Sequence, residues 1–216
     1  MTQTVAFIGL GIMGSRMAAN LLDKGDVNLI VFNRSPEAAK PLKDKGAKVA
    51  DSATDAVRQA DVVFSMLASP PVVETLALGK DGFVSAMAKN ALWVDCSTVN
   101  PSFTESAAES AKAQGIRFMD APVAGTREPA ANGELTFLVG GNDEDYQSVE
   151  PLLQTMGKKI VHVGQVGRGT AFKMLVNAML AQSMLAFAET ALLGEKLGFS
   201  RDFLMDTLPS LPVTPP

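Results

Sequence analysis

Lys173 and Asn177 stand four residues apart in GTAFKMLVNAML, inside a run from Phe172 to Ala188 that is otherwise almost entirely apolar and helix-forming. At that spacing both side chains leave one face of a helix. If the face lines a cleft, the lysine ammonium can protonate a carbonyl oxygen and stabilise the charge that develops as hydride reaches the carbon. The asparagine can hold the lysine or the substrate. A lysine on a helix is ordinarily solvated. Here no charged side chain occurs from Met174 to Ala188, and the preceding GQVGRG reads as a flexible lead-in that lets the helix begin close to the rest of the fold.

A second constellation is Gly9-Leu10-Gly11-Ile12-Met13-Gly14, which places G-x-G-x-x-G directly after the strand-like TVAFIGL and at the start of a helical pattern. The first glycine permits a tight turn, the second lets backbone approach a pyrophosphate, and the third allows close packing of helix on strand. The helix N-terminus adds N–H donors and partial positive charge. The next strand pattern ends in VFNRS. Where an aspartate or glutamate would accept from the ribose hydroxyls of NAD, this chain has Asn33 followed by Arg34 and Ser35. A guanidinium pairs in forked geometry with the 2'-phosphate of NADP, so the loop favours NADP(H), with NAD(H) the alternative.

Three further strand ends carry small or polar residues: SMLASPP with Met66 and Leu67, CSTVNP with Ser97 and Thr98, and DAPVAGT with Ala121 through Thr126. Ser97 and Thr98 can contact a cofactor or can cap the helix that starts near Pro101; both readings stand. The backbone donors of DAPVAGT can hold a carboxylate. Asp120, the only ionisable group of that stretch, reads as structural. The single histidine, His162, reads as a packed or edge residue, and without a second one no His-pair metal site can be built. No metal is expected.

The elements that must position these residues alternate along the chain. Strand patterns TVAFIGL, VNLIVF, AKVA, DVVFSML, LWVDCST and RFMDAPV are separated by helical patterns at 13–24, 36–45, 52–59, 72–78 and 101–114. That alternation predicts an α/β fold, a doubly wound Rossmann-type parallel sheet. GELTFLVGG and KKIVHVG, on either side of a helix over 143–156, predict two extra strands in the same sheet. A long helix over about 170–197, apolar all round, predicts burial on several sides or sharing between subunits. Ser200 and Asp202 mark another helix start. The expected division is a nucleotide-binding domain at 1–165, then the interdomain helix and the start of an incomplete all-α domain at 166–216, with the proline-rich end as a boundary.

With 216 residues, 47% hydrophobic and 19% charged, the chain can bury a sizeable core, and a net charge of −4 argues against nucleic acid as a partner. One cysteine, Cys96, excludes an internal disulfide and fits a reducing, cytoplasmic setting. No secretory signal is apparent at the N-terminus. The uncharged stretch from Met174 to Ala188 falls short of the roughly 20 residues a membrane crossing requires.

With the motifs FIGLGIMGSRMAANLLDKG, MDAPVAGTREPAANGELTFLVGG and GQVGRGTAFKMLVN in this order, the chain resembles the beta-hydroxyacid dehydrogenase family along essentially its whole length. The resemblance implies that Lys173 is the catalytic proton donor or acceptor and that Asn177 contacts substrate. It further implies that the DAPV segment, with Ala124, Gly125 and Thr126, holds a substrate carboxylate and that Thr98 contacts the cofactor. VFNRS and DAPVAGTREPA look more like the glyoxylate/succinic semialdehyde reductase branch, which uses NADPH, than the 3-hydroxyisobutyrate branch. Ala124 replaces a usual serine and Thr126 a frequent glycine. Family members continue into a helical domain, form homo-oligomers and act on small carboxylates. The rival readings are a non-catalytic nucleotide-binding module and a decarboxylating enzyme of the 6-phosphogluconate type, which would need basic residues for a substrate phosphate.

Overall fold

The computed structural model describes residues 2–211. In chain order the elements are β1 (Gln3–Ile8), α1 (Gly14–Lys24), β2 (Val27–Phe32), α2 (Lys40–Asp44), β3 (Lys48–Val49), α3 (Ala53–Val57), β4 (Val62–Ser65), α4 (Pro70–Val73) and β5 (Leu92–Asp95). There follow α5 (Pro101–Ala113), β6 (Arg117–Asp120), β7 (Val123–Ala124), α6 (Arg127–Asn132), β8 (Leu135–Gly140), α7 (Asp143–Met156), β9 (Gly157–Gly164), α8 (Arg168–Lys196) and α9 (Arg201–Thr207).

The first six strands pair in the order β3-β2-β1-β4-β5-β6, all parallel, as the alternation of strands and helices requires. The two expected extra strands join the same sheet, which is mixed rather than wholly parallel. After β6 the chain turns back through the short β7, so that β8 lies antiparallel to both β6 and β7, and β9 then pairs parallel to β8. Neither β7 nor α6 had a recognisable pattern in the sequence.

Alternate residues of β1 enter opposite cores. Val5 and Phe7 face one cluster with α1, α7 and β8, whereas Ala6 and Ile8 face the other with α3 and α5. Burial on both faces is why the parallel strands read as unbroken apolar runs. Trp93 anchors the second core, edge-on to Phe83 and Phe118 at centroid distances of 5.4 and 4.8 Å. Such rigid packing fixes where the strand ends fall.

The chain divides into two compact units, Met1–Lys173 and Met174–Pro216. Within the second, α8 continues to Lys196 and Gly198 adopts φ +95° as the chain turns. Ser200 Oγ then caps α9 through the Phe203 amide, as the sequence predicts. Gly194 lies where a methyl group would meet Leu204, so the two helices touch closely there. The burial expected for the long helix is not met within this chain: Leu175, Met179, Met184 and Leu193 are all about three-fifths exposed or more. By length and composition alone α8 is apolar enough to cross a bilayer, which the count of uncharged residues did not anticipate; core helices of soluble proteins share those properties. The proline-rich end from 212 onward lies outside the described residues.

Candidate active site

Six parallel strands deliver their carboxyl ends to one edge of the sheet, where ligands of such folds bind. At the end of β1, Gly9 has φ +96°, and a Cβ there would strike the Met66 carbonyl and come within 2.9 Å of Leu67 Cδ2. Only glycine combines that backbone with that contact. Gly14 lies over the Gly9 carbonyl, and a Cβ on it would be 3.2 Å from the Phe7 ring. The third glycine therefore closes the turn on itself as well as seating α1 on the strand. Gly11 faces open space, and Ile12, next to it, is 63% exposed. The Gly11 and Ile12 carbonyls accept from Ser15 Oγ and Arg16 Nη1 at 2.8 and 2.6 Å. With these acceptors engaged, the turn at the head of α1 presents what a pyrophosphate requires: an approach clear of any side chain at Gly11, amide donors and a helix N-terminus.

At the end of β2, the Leu10 amide donates to Asn33 Oδ1 at 2.9 Å and Asn33 Nδ2 donates to the Ser35 carbonyl at 3.0 Å. Asn33 is thereby a strut between the glycine turn and the β2 loop. Arg34, beside it, is exposed.

The ends of β4 and β5 share a buried network that sequence reasoning missed. Asp95 Oδ1 accepts from Ser65 Oγ at 2.7 Å and from Ser97 Oγ at 2.6 Å. The Ser97 hydroxyl in turn accepts from the Leu67 amide at 3.0 Å, and Trp93 Nε1 donates to Ser65 Oγ at 2.8 Å. Asp95 thus fixes, through one serine, the Met66–Leu67 backbone against which Gly9 is wedged. Burial pushes its carboxyl up, the two serines oppose that shift, and the charge of Asp120 adds to it. The adjacent Cys96 thiol is buried and pushed well up, first by burial and then by Asp95. Capping of α5 falls to Asn100, whose Oδ1 accepts from the Phe103 amide at 2.8 Å. The capping reading of Ser97 and Thr98 is corrected: Ser97 braces the loop, and Thr98 stands exposed.

Beyond β6, Ala124 sits in β7 opposite Thr136, Gly125 (φ +131°) packs against Leu135 and Pro129, and Thr126 begins α6 without its side chain capping it. Asn20 of α1 secures α6 by donating to the Ala130 and Ala131 carbonyls at 2.9 and 3.0 Å. Asp120, the last residue of β6, accepts from the Gly167 amide at Oδ1 and the Thr170 amide at Oδ2, both at 2.7 Å. These amides belong to the start of α8, so the lead-in read as flexible is bound at both carboxylate oxygens. Burial pushes the Asp120 carboxyl up, and the Gly167 and Thr170 amides pull it back.

Lys173 lies one turn further along α8, half-buried, and burial lowers its pKa from the ordinary 10.5. Asn177 follows one turn later on the same helix, in the second compact unit, and is exposed. His162 stacks on Tyr146 at 4.6 Å with Nε2 2.8 Å from the Gly141 carbonyl, a packed residue as expected. Among the described residues no group of three or more His, Cys, Asp or Glu side chains could hold a metal ion.

Residues 4–164 match the family described as the NAD binding domain of 6-phosphogluconate dehydrogenase. Over 204 residues the chain is 41% identical to the 3-hydroxyisobutyrate dehydrogenase of Pseudomonas aeruginosa, covering 94% of this chain and 68% of that one. It is 36% identical over 207 residues to the chloroplastic glyoxylate/succinic semialdehyde reductase 2 of Arabidopsis thaliana, covering 96% and 58%. Among solved structures, the 3-hydroxyisobutyrate dehydrogenase of Mycobacterium tuberculosis with L-serine is similar at a TM-score of 0.87 and 36% identity, covering 98% of this chain and 72% of that chain. The chain spans between 58% and 68% of the length of these curated relatives.

Proposed function

The chain belongs to the beta-hydroxyacid dehydrogenase family, and from that footing we propose that it is an NADPH-dependent reductase of short aldehyde acids or 2-oxo acids, running in reverse as a 3-hydroxyacid dehydrogenase. The observation that carries the reading is the half-buried Lys173, lowered in pKa, at the head of a helix fastened to the end of β6 directly before the 121–126 segment. When bound, the nicotinamide supplies hydride to the carbonyl carbon. Lys173 Nζ gives its proton to the carbonyl oxygen in reduction and takes it back in oxidation. The backbone of 121–126, with Thr126 in place of the absent serine, anchors the carboxylate. Asn177 orients the lysine or the substrate. The glycine turn and the amides of α1 hold the pyrophosphate, and Leu10, Ile12, Met13, Met66, Leu67 and Thr98 line the cofactor.

NADPH is favoured because Asn33 spends both ends of its amide on bracing the glycine turn to the β2 loop, at Leu10 and Ser35, which leaves Arg34 to face a 2'-phosphate. The NAD-linked 3-hydroxyisobutyrate or tartronate semialdehyde type is the second reading, and similarity to the 3-hydroxyisobutyrate dehydrogenase of Pseudomonas aeruginosa supports its substrate class. A cytoplasmic setting, a homo-oligomer and a small carboxylate as sole partner belong to the same proposal. Reduction of glyoxylate, succinic semialdehyde and tartronate semialdehyde, each with NADPH and with NADH, and oxidation of 3-hydroxyisobutyrate with NADP+ and with NAD+, test it. Reduction of an aldehyde acid with NADPH, abolished in Lys173→Ala, is the expected result. Turnover unaffected by that substitution would overturn the mechanism, and release of labelled carbon dioxide would point to the decarboxylating type.

A further inference from the structure

We propose that Asp120 is the positioning residue for Lys173: its carboxylate fastens the first turn of α8 to the end of β6 and so sets where the ammonium stands relative to the 121–126 segment. The proposal rests on the reading of Lys173 as proton donor and goes beyond it in naming what places that donor.

Three independent features converge on the start of α8. Its two oxygens accept from two amides of the incoming segment, Gly167 and Thr170, at 2.7 Å each and across 47 and 50 residues of sequence. The first amides of a helix have no partner within it, so a carboxylate from elsewhere satisfies them and complements the positive end of the helix dipole.

Second, the surroundings leave no slack. A methyl group on Gly140 would collide with Asp120 Oδ1 and reach the Gly169 amide at 2.8 Å. One on Gly169 would collide with the Leu138 carbonyl and come within 2.9 Å of Asp120 Oδ2 and of the Gly140 amide. The start of α8 is thus set against the backbone of β8 with no side chain between them, and Asp120 fills the corner.

Third, Thr104 Oγ1 of α5 donates to Thr170 Oγ1 at 3.1 Å, and both threonines are buried. The helix start is therefore tied from β6, β8 and α5 at once. Thr170 precedes Lys173 by three residues, so a displacement of that turn carries the ammonium with it. Because Asp120 is followed directly by Ala121, the same residue ends the strand that leads into the proposed carboxylate site. One side chain fixes the spacing between anchor and proton donor. The other charged group facing Asp120 is Asp95 on the neighbouring strand.

The test uses the full chain and three variants, Asp120→Asn, Asp120→Ala and Gly169→Ala. The first keeps an acceptor oxygen for one amide, the second removes both acceptors, and the third displaces the helix start with the carboxylate intact. Competitive acylation of lysines over a pH series, resolved by mass spectrometry, reads the titration of Lys173, and amide hydrogen exchange reads Gly167–Thr170.

Asp120→Ala and Gly169→Ala should move the Lys173 titration up toward that of an ordinary lysine and raise exchange at 167–170 at least tenfold. Asp120→Asn should fall between them and the parent, and NADPH affinity should stay within about twofold in all three. Unchanged Lys173 titration in Asp120→Ala and Gly169→Ala would overturn the proposal, as would a loss of NADPH affinity equal to the loss at Lys173, because a merely structural residue would damage both sites together. Full turnover of Lys173→Ala would sink the proton-donor reading alone, since titration and exchange report on the hold of Asp120 without it.

Discussion

Asp95 and Asp120 are register partners at the ends of neighbouring parallel strands, both buried and both raised in pKa by that burial, yet they hold different kinds of partner. Asp95 is met by hydroxyls two and thirty residues away, Ser97 and Ser65, and stiffens a loop that the sheet already carries. Asp120 is met by backbone amides from a segment nearly fifty residues on. One carboxylate keeps the glycine turn in shape, and the other docks an arriving helix. The comparison teaches that a two-substrate site can be built from two adjacent strand ends. Each is braced by its own buried carboxyl group, so on the proposed reading the cofactor half and the proton-transfer half should respond to perturbation separately.

The largest effect expected is on the proton-transfer half. Lys173→Ala should lower turnover by about 10²- to 10⁴-fold, the usual contribution of a general acid, while NADPH affinity measured by fluorescence titration stays the same. A matching loss of cofactor affinity would erase the distinction between the halves. Next comes Asp95→Ala, which leaves the hydroxyls of Ser65 and Ser97 without their acceptor at a cost of about 1–3 kcal/mol. It should lower the melting temperature, weaken NADPH binding, and alter the emission of Trp93, whose indole N–H bonds Ser65. Lys173 titration should be unmoved by it; movement there would join the two halves into one.

A smaller, selective change is expected at the rim. Arg34→Ala should weaken NADPH by about tenfold and leave NADH nearly unaffected, as loss of one charge-assisted pair implies. The smallest effect needs no mutation. Because burial depresses the Lys173 pKa below 10.5, the ammonium is lost as pH rises through that lowered value. Reduction, which needs the protonated form, should decline across that range, and oxidation, which needs the free amine, should rise to a plateau. A crossing at the ordinary lysine value would mean that the side chain is solvated.

The two halves were not equally legible in the sequence. Gly9, Gly11 and Gly14 follow a strand and precede a helix within a few residues, so a local pattern revealed the turn. The alternation of apolar runs with helical segments gave the order of six strands. Lys173 and Asn177 stood out because an apolar helix made them conspicuous. What the sequence hid was long-range or too short to have a period. Asp95 and Asp120 each close an apolar strand and look like ordinary polar ends until their partners arrive. The two residues of β7 cannot show alternation, and α6 spans six residues beginning RE and containing a proline. Asn100 won the cap of α5 from Ser97 because only its side chain reaches the Phe103 amide. Gly167 and Gly169 suggested looseness by composition, yet the structure uses the first for its φ of +88° and the second for close approach. Glycine type alone does not distinguish these uses.

The buried Cys96 has one more consequence. It is the sole sulfhydryl of the chain, its thiolate is disfavoured by burial and by the neighbouring Asp95, and no solvent reaches it. Maleimides and nitroxide reagents should pass the native protein by. A single cysteine introduced on the exposed side of α8 would then take up a spectroscopic label without first removing the natural thiol, which makes the local mobility of that helix open to direct spectroscopic measurement.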